Sequence, residues 1–457
     1  MQLRTRRTLF FISLIIFFIA SPAAIMYSLG YKLDLTTFKI EKTGGIFVDI
    51  DYDDYTISLD KSIEKTVSKA IFRQQGTLLP NLIPKLHNVE ISKNDYKPWK
   101  KTLEIKSGIV TEIKNVFLTP SDLSPSRLDE NVNDFSLSRS KENMAYIKNN
   151  SLFSLNIKNN EKTEIELPPT QKSDKLSIID QSFNQSIIYL QNDKNILKIN
   201  TETKNIDSIK KPTKKKYLKI LPSPKNNDSL FLLSSDDIIY DLDVENDTRS
   251  EIAKDVNNFY VTGESIIYTT NDPTNFYKQK IGSQDKAIQI TFSPMKDVNE
   301  DSKILVRFDD PVAVLNSANE LLLFNYSTEK FEKLAENIID ASISDDFSKM
   351  LYRNDHEIYV YYFEASYPQK KAGDKELLGR FSKEIQDASW FDLYNHHIFL
   401  TINDKTNILE LDGRNKRNSE EIMEKPDKFI YNNYDKNIYL LKNNTLQKIP
   451  LVLDATL

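Results

Sequence analysis

Three carboxylates occupy alternate positions in the stretch GGIFVDIDYDDYTISLD, at Asp49, Asp51 and Asp53. Carboxylate oxygens are the ligands that Ca²⁺ prefers, so a cation site is one interpretation of this pattern. A strand, however, spaces the side chains of one face by about 7 Å, whereas calcium loops gather their ligands through a turn that contains Gly. The sequence therefore favours a solvated acidic face that protects the edge of a sheet.

A second chemically dense stretch is ISKNDYKPWKKTLEIKSG, in which Tyr96 and Trp99 stand among lysines. Rings interleaved with amines suit nucleic acid, but they also suit a basic β-hairpin whose aromatic residues are packed. The formal net charge is −5, whereas general polyanion binders carry a large positive excess. We therefore expect no nucleic-acid partner. The lysines expected to fan into solvent, where they would suit anionic headgroups or wall polymer, are Lys93, Lys97, Lys100 and Lys101.

Metal-binding and catalytic motifs are scarce. The chain has four histidines, and two of them, His396 and His397, are adjacent, so a strand would point them to opposite faces. We expect structural or surface roles for these two and for His87 and His356. No Gly-x-Ser-x-Gly elbow, phosphate-binding glycine loop or His-Glu-x-x-His helix occurs. The sequence predicts no metal, no cofactor and no catalytic residue. A carboxylate pair in a cleft would support the alternative, an exported enzyme acting on carbohydrate or peptide.

The elements that position these residues are built with few glycines. The chain has 457 residues, of which 39% are hydrophobic and 28% charged, but only 10 are Gly. Asn and Asp tolerate left-handed backbone conformations, and pairs such as Asn149-Asn150 and Asn443-Asn444 recur between apolar runs. We expect these pairs to make the turns. Cys is absent, which excludes disulfides and thiolate metal sites.

The first residues predict a membrane segment. Three arginines within the first seven residues precede an uncharged stretch from Thr8 to Leu29. About twenty apolar residues span a bilayer, and a basic flank stays in the cytoplasm. A signal peptide cleaved near residues 21–24 is the other interpretation, but the apolar character continues beyond that site. We expect a single-pass signal anchor within residues 1–30 at the plasma membrane, with the bulk of the chain extracytoplasmic.

Short alternating runs dominate residues 38–120. The apolar positions that alternate with the three carboxylates predict one buried strand face and are Ile46, Val48, Ile50 and Tyr52. The stretch NVEISKNDYKPWKKTLEIKSGIVTEIKNVFLTP predicts three further strands, the last of them over residues 113–118. We expect its turns at Asn94-Asp95 and Ser107-Gly108.

This arrangement resembles the PEGA domain, a small β-sandwich module of bacterial envelope proteins. The positions that match its pattern of Pro turn, strand, Lys-x-Gly-Tyr, Trp and final strand are Pro84, Val89, Lys93, Tyr96, Trp99, Leu103 and Gly108. Lys85 and Asp95 stand where the family usually has Gly, and the name-giving letters are absent. The resemblance implies a β-sandwich, an envelope setting and structural roles for Pro84, Tyr96, Trp99 and Gly108. It implies no catalytic residue.

From residue 131 onward, a strand-turn-strand pattern recurs eight times, as in SIIYLQNDKNILKIN and HIFLTINDKTNILELD. Its anchor positions are Tyr146, Tyr189, Leu232, Tyr268, Val314, Tyr352, Leu400 and Leu440. They are spaced by roughly 42 residues, which is typical of four-stranded propeller blades. The pattern resembles the irregular propellers of the TolB and WD40-like class, without the Trp-Asp signature, and that resemblance implies a fold only.

Eight repeat units predict eight blades, or seven if the first and last units together close one blade. A strand from the linker SDLSPSRLDENV, which is also the expected domain boundary, would complete the final unit and remove an exposed edge. The basic run KKPTKKKYLK lies between two units and is predicted to be a loop. The sequence thus predicts an all-β chain: a transmembrane helix, a PEGA-like β-sandwich over residues 38–120 and a seven- or eight-bladed propeller over 121–457. We expect a non-catalytic binding or scaffold role at the cell envelope, with an envelope protein or a cell-wall glycan as partner.

Overall fold

The computed structural model describes residues 3–34, 38–67, 76–168, 176–181, 187–192, 194–211, 217–283, 285–391 and 395–453. The chain divides into two compact units. Unit 1 consists of Met1–Asp122 and Glu410–Glu420, and unit 2 of Leu123–Leu409 and Glu421–Leu457. The middle of the second basic run, residues 212–216, lies outside the described residues.

Unit 1 begins with one long apolar helix, α1 (Leu3–Ser28). Its stretch Arg6–Ser28 has a mean hydropathy of 2.5 and is exposed rather than packed on protein. At 1.5 Å per residue, these 23 residues extend about 35 Å, enough to cross the roughly 30 Å hydrocarbon core of a bilayer. The helix is therefore long and apolar enough to span a membrane, as the N-terminal residues predict.

Three sheets follow in unit 1. A two-stranded ribbon pairs β1 (Tyr31–Asp34) with β2 (Lys39–Lys42). A three-stranded sheet, in the order β6–β3–β9, contains β3 (Gly44–Asp49), β6 (Thr77–Leu82) and β9 (Val110–Lys114). A four-stranded sheet, in the order β5–β4–β7–β8, contains β4 (Tyr55–Leu59), β5 (Ser62–Val67), β7 (Leu86–Ser92) and β8 (Trp99–Glu104). We call the last two sheets the two-sheet module.

One apolar core holds the two-sheet module together. Ile46 of β3, Ile57 of β4 and Ile91 of β7 are fully buried in the same cluster, so both sheets contribute to it. The predicted alternation is confirmed, because all four apolar positions from Ile46 to Tyr52 are buried and the intervening carboxylates are exposed. The predicted third strand is too long, since β9 ends at Lys114 and the buried residues 116–118 follow without strand pairing. Within the described ranges, no three His, Asp or Glu side chains are grouped to hold a metal ion.

Unit 2 contains eight four-stranded antiparallel sheets, of which the seventh extends into the segment Glu410–Glu420 that belongs to unit 1. Sheets 1 to 4 consist of β11 (Val132–Leu137), β12 (Asn143–Lys148), β13 (Ser151–Asn156) and β14 (Lys162–Glu166); β15 (Ser177–Gln181), β16 (Ile187–Gln191), β17 (Asn195–Asn200) and β18 (Ile206–Lys210); β19 (Tyr217–Pro222), β20 (Ser229–Ser234), β21 (Ile239–Asp243) and β22 (Thr248–Ala253); β23 (Val256–Val261), β24 (Ser265–Thr270), β25 (Phe276–Lys280) and β26 (Ile288–Gln289). Sheets 5 to 8 consist of β27 (Lys303–Arg307), β28 (Asp310–Leu315), β29 (Leu321–Asn325) and β30 (Lys330–Ala335); β31 (Asp340–Ile343), β32 (Lys349–Arg353), β33 (Glu357–Tyr362) and β34 (Lys375–Arg380); β35 (Ile385–Phe391), β36 (His397–Ile402), β37 (Lys405–Glu410) and β38 (Ser419–Glu424); β10 (Ser126–Glu130), β39 (Lys428–Asn432), β40 (Asn437–Lys442) and β41 (Thr445–Pro450).

Consecutive sheets pack on one another until the ring closes. Shared apolar clusters join sheets 1 to 2, 2 to 3, 3 to 4, 4 to 5, 5 to 6 and 8 to 1. A hydrogen bond from Trp390 to the carbonyl of Ser342 joins sheets 6 and 7, and the rings of Phe391 and Tyr431, 4.7 Å apart, join sheets 7 and 8. Four-stranded sheets repeated radially in a closed ring are a β-propeller. All eight anchor residues lie buried on the second strand of their sheet, as the repeat predicts; in sheet 8 the first to fourth strands are β39, β40, β41 and β10.

The linker strand and the turns also follow the sequence. The strand β10 comes from the linker and pairs with β41 at the C-terminal end of the repeats, which confirms the expected closing strand. Most non-glycine residues with positive φ are Asn or Asp, as expected of a chain with few glycines. Three described exceptions are phenylalanines: Phe38, Phe308 and Phe347. A bulky residue rarely adopts this conformation, which makes these three positions candidates for function.

Candidate functional site

Only part of the lysine rim of the basic hairpin faces solvent. Lys100 has a 63% exposed side chain and Lys97 a 40% exposed one, and each amine lies 3.2 Å from a glutamate carboxylate. Lys93 is half-buried, and its amine donates a 2.6 Å hydrogen bond to the carbonyl oxygen of Asp53. These three side chains remain available to a surface only after they give up existing partners.

Lys101 is not part of that rim, and its predicted exposure is wrong. Its side chain is fully buried, forms an ion pair with Glu410, and donates a 2.8 Å hydrogen bond to the carbonyl oxygen of Asp412. The reason is strand alternation in β8, which places residue 101 on the same inward face as the buried Trp99 and Leu103. The amine of Lys101 therefore neutralises carboxylates inside unit 1 and is unavailable to an anionic surface.

Trp99 belongs to the same buried cluster. Its Nε1 donates a 3.0 Å hydrogen bond to Glu410 Oε2, while Glu410 Oε1 accepts from the backbone and side-chain nitrogens of Asn418. Burial opposes ionisation of Asp412, but Arg414 and Lys101 outweigh it and hold the pKa of that carboxyl below its ordinary value. Trp99 and Lys101 thus hold the segment Glu410–Glu420 within unit 1.

The other residues of the PEGA-like pattern also lie within unit 1. Tyr96 is buried, with its ring edge-to-face on Tyr52 at 5.7 Å. Gly108 has φ 70°, a left-handed conformation that favours glycine, whereas a Cβ there would make only an ordinary contact with the flexible end of Lys42. Pro84 is half-buried at a bend.

The histidines are dispersed, and they contact different neighbours. His87 is buried, with Nδ1 2.8 Å from Asp60 Oδ2. His396 and His397 lie against different aromatic rings, but only His397 is on a strand, because β36 begins there and His396 precedes it. His356 is exposed.

A cavity of about 440 Å³ lies at the centre of one end of the propeller. The first strands of neighbouring sheets lie against one another, which places them at the axis of the ring. Residues at the ends of β19, β23 and β27 line the cavity, together with the turns that follow the first strands of sheets 1, 4, 5 and 6. The cavity is therefore the mouth of the central channel. Among its described lining residues, Arg139 carries the only charge.

Phe308 and Phe347 form an aromatic pair on the wall of this mouth. Their ring centroids are 5.2 Å apart, and the residues are 65% and 36% exposed. Arg307 lies over the Phe308 ring, 4.8 Å from its centroid, and its Nε donates a 2.8 Å hydrogen bond to the carbonyl oxygen of Phe347. Each Phe occupies the turn between the first and second strands of its sheet, in adjacent sheets 5 and 6.

The backbone of this pair is held in an unfavourable conformation. Phe308 has φ 58° and Phe347 φ 57°. A side chain in this left-handed region costs about 1–2 kcal/mol relative to the right-handed one, and Gly or Asn suffers least. The positive-φ residues in the corresponding turns of sheets 1, 7 and 8 are Lys141, Asn395 and Lys436. Phe308, which is 65% exposed, contributes little burial in return for this backbone cost, and its contact with Phe347 marks the pair as a functional candidate.

Neighbouring polar groups fix the turn that carries Phe308. The carboxylate of Asp309 accepts hydrogen bonds from Thr262 and Ser265 of sheet 4 and lies 2.8 Å from the amine of Lys278. Burial raises the pKa of Asp309, but these partners outweigh burial and keep the pKa below its ordinary value. The ionised carboxylate therefore ties the turn that carries Phe308 to sheet 4.

The turn that carries Phe347 is fixed in the same way. The backbone nitrogen of Phe347 donates to the carbonyl oxygen of Ser344 at 2.8 Å. Asp346, next to it in the turn, accepts a hydrogen bond from the backbone nitrogen of Ser348, and its carboxylate lies 3.4 Å from the buried amine of Lys349. Both aromatic rings are thus presented by preorganised turns rather than by loose loops.

Lys219 lies deeper in the ring, on β19, three positions before the cavity-lining Pro222. Its amine donates a 2.9 Å hydrogen bond to Asn258 Oδ1 and has no carboxylate partner among the described residues. Burial lowers the pKa of Lys219 to about 8.

We therefore expect the Lys219 amine to titrate near pH 8, more than two pH units below an ordinary lysine. Carbon-13 NMR of the reductively methylated protein would measure this, with the Lys219→Arg variant identifying the resonance. A midpoint near the ordinary 10.5 would contradict the burial of an unpaired amine.

The aromatic pair left a signal in the sequence that repeat analysis overlooked. In RFDD and DDFSK a phenylalanine occupies the tip of a polar turn, where this chain otherwise uses Asn, Asp or Lys. The two phenylalanines are also about one repeat apart, which would have placed them in equivalent turns of adjacent sheets.

Comparison with known proteins adds the fold and little more. No protein-family model matches the chain, and no curated protein sequence matches it either. A eukaryotic initiation factor structure matches with a TM-score of 0.50 at 10% identity, covering 74% of this chain and 97% of that one. The WD40 domain of SCAP from fission yeast matches with a TM-score of 0.45 at 11% identity, covering 72% of this chain and 98% of that one. The Cps50 (Swd1) β-propeller domain from Myceliophteria thermophila matches with a TM-score of 0.44 at 7% identity, covering 73% of this chain and 100% of that one. At such identities the likeness concerns the fold alone. The chain is a nearly all-β protein with one N-terminal apolar helix and a β-propeller.

Proposed function

We propose that the chain is a single-pass, membrane-anchored protein of the bacterial cell envelope, whose extracytoplasmic propeller binds a partner without catalysing a reaction. Support for the anchor comes from α1, which is exposed, carries three arginines in its first turns and is uncharged from Thr8 to Ser28. A basic flank favours the cytoplasmic side, so the part of the chain that follows the helix lies on the extracytoplasmic side of the membrane.

We also propose that the two-sheet module is a β-sandwich of the PEGA type and that the eight sheets of unit 2 are eight blades. The shared core of the module and the buried Trp99 and Tyr96 support the first assignment. An envelope setting follows from that family. Lys93, Lys97 and Lys100 remain candidates for contact with anionic headgroups or wall polymer. Lys101 is no longer a candidate, because its side chain is buried.

The aromatic pair at the channel mouth is the observation that carries the binding role. A cavity of about 440 Å³, with apolar walls, exposed rings and one arginine, suits an apolar side chain next to a carboxylate. The partner is therefore an extended segment of another envelope protein, in which an apolar residue enters the cavity and an acidic residue meets Arg139. A cell-wall glycan is the other outcome to be tested.

Two carboxylates on first strands support a non-catalytic role, because each is paired with a lysine. Asp134 lies 2.8 Å from the amine of Lys428, and Asp340 lies 2.8 Å from that of Lys303. Glycosidic chemistry requires two carboxyl groups about 5–10 Å apart that face a substrate, and these two acids are neutralised by neighbouring lysines instead.

Site-specific photocrosslinking in intact cells tests the proposal. Tyr260 lines the cavity and is 39% exposed, so a Tyr260→p-benzoylphenylalanine variant should give an adduct with one envelope protein. The matched control places the same group at Phe292, which is 68% exposed and outside the cavity lining, and should give none. Sugar adducts at residue 260 would redirect the proposal to a glycan, and identical adducts at both positions would remove it.

Replacing both phenylalanines by asparagine should separate stability from binding. Asn accepts positive φ more easily than Phe, so the F308N/F347N variant should keep its free energy of unfolding or gain up to about 1 kcal/mol. The same variant should lose the adduct at residue 260, because the apolar wall is gone. Loss of stability together with loss of the adduct would show that the pair serves folding instead.

A further inference from the structure

A ribbon directly after the membrane helix carries exposed apolar side chains that nothing in the described protein covers. It consists of β1 and β2, which pair only with each other. Leu33 is 46% exposed and Ile40 55% exposed. Phe38, beside the described end of β2, is 80% exposed at φ 54°, so a bulky ring is again held outward by an unfavourable backbone.

The register of the ribbon separates an apolar face from a charged one. Leu33 pairs with Ile40, and on the same face, two positions along each strand, Tyr31 pairs with Lys42. The alternate positions, Lys32 and its pairing partner Glu41, occupy the opposite face. The ribbon is therefore amphipathic: one face carries Tyr31, Leu33 and Ile40 with a single lysine, Lys42, at the end nearest the helix, and the other face carries charges.

A two-stranded ribbon of this kind needs something to cover its apolar face. Isolated hairpins are at best marginally stable in water, and none of the apolar residues of this ribbon joins the core of the two-sheet module. Among the described residues, no third strand extends the ribbon. The covering material must therefore come from outside this part of the chain.

The geometry at the base of the ribbon indicates what that material is. The helix α1 ends at Ser28, and Gly30 turns the chain at φ 82°. The carbonyl oxygen of Gly30 accepts hydrogen bonds from both the backbone nitrogen and the hydroxyl of Thr43, at 2.7 and 2.8 Å. Since β1 begins three residues after the helix, its first residue lies within about 10 Å of the helix end. The ribbon is thus fixed directly beside the C-terminal end of α1.

We propose that the β1–β2 ribbon lies in the interface of the membrane that α1 crosses, with Tyr31, Leu33 and Ile40 against lipid. The inference rests on the proposed membrane anchoring. Aromatic rings favour the boundary between acyl chains and headgroups, which fits Tyr27, Tyr31 and Phe38 around this point. The charged face is left to headgroups and water, as in interfacial amphipathic elements.

The absence of cysteine makes a clean test possible, because a single introduced thiol can be labelled. The full chain would be reconstituted in vesicles of phosphatidylcholine and phosphatidylglycerol that contain nitroxide-labelled lipid. Bimane attached to Leu33→Cys or Ile40→Cys should be quenched at least threefold more strongly than bimane on Lys32→Cys or Glu41→Cys. Equal quenching of the two faces would overturn the proposal.

A label at Phe17→Cys, in the middle of α1, distinguishes failure of the ribbon from failure of the anchor. If Phe17 is quenched by deep nitroxides and the ribbon is not quenched by shallow ones, the ribbon proposal fails while the anchor stands. If neither is quenched, both fail. Shielding of Leu33 and Ile40 from an aqueous quencher without any lipid quenching would assign the face to a second copy of the chain and would also overturn the proposal.

Discussion

Replacing Lys101 by methionine is expected to destabilise the association of β8 with the segment Glu410–Glu420 by about 3–5 kcal/mol. The side chain is fully buried, and its amine neutralises Glu410 while lying 3.4 Å from Asp412 Oδ2. Removing one member of a buried ion pair leaves an uncompensated charge in a medium that solvates it poorly, and that penalty exceeds the loss of the contact itself. Arg414 would still neutralise Asp412, so the buried carboxylate of Glu410 is the charge left without compensation.

Hydrogen exchange is the suitable measurement, because two units need not unfold as one. Exchange should accelerate in β8 and in Glu410–Glu420 while sheets 2 to 4 stay unchanged. The matched control is Lys100→Met, the next residue, whose side chain is 63% exposed and whose loss should cost under about 0.5 kcal/mol. Adding Glu410→Gln to Lys101→Met should restore part of the protection. Equal effects of the two lysine variants would refute the buried-charge account.

This cluster shows where prediction from the sequence stops. Alternation in β8 places Trp99, Lys101 and Leu103 on one face, and the sequence pattern alone predicts this placement. A lysine on an inward face requires a carboxylate, but the one it uses lies more than 300 positions away along the chain. Nothing in the local pattern points to Glu410, so the four lysines of the hairpin looked equivalent.

The propeller was easier to predict because its information is local and repeated. Each unit places a buried residue on the second strand, as Tyr146 and Leu440 show at the two ends of the repeat region, and Asn or Asp fixes the turns. What the repeats do not encode is which turns depart from the rule. The positive φ of Phe308 and Phe347 becomes visible only when the ring is assembled and the two adjacent turns meet.

Removing the carboxylate of Asp129 is expected to loosen the closure of the propeller, with a loss of about 2–4 kcal/mol in the Asp129→Ala variant. Asp129 lies on β10, the strand that completes sheet 8 by pairing with β41. Its carboxylate accepts 2.7 Å hydrogen bonds from Tyr146 and Lys162 and also binds Lys148, all of sheet 1. The side chain is only 11% exposed, so its removal leaves two lysine amines and a buried tyrosine hydroxyl without a hydrogen-bond acceptor.

Asp247→Asn provides the matched control for that variant, because this carboxylate is 64% exposed and has a single, 3.5 Å ion pair with Arg249. It should change the free energy of unfolding by under about 0.5 kcal/mol. Hydrogen exchange in β10 and β41, together with proteolysis of the linker before β10, reports opening of the ring, since an unpaired edge would then be exposed. Unchanged protection of β10 in Asp129→Ala would show that backbone pairing alone closes the propeller.

The pH dependence of the closure follows from the same carboxylate. Burial opposes its charge, but Lys148, Lys162 and Tyr146 hold the pKa of Asp129 well below its ordinary value of 3.8. A group whose folded pKa is depressed stabilises the fold above its unfolded pKa and loses that contribution as the pH falls through the folded value. The stability difference between the natural chain and Asp129→Asn should therefore be constant from pH 7 to about pH 5 and shrink below about pH 4. Urea unfolding at intervals across this range measures it, and a difference that persists undiminished at pH 2 would mean that the lysines stabilise closure by packing rather than by charge.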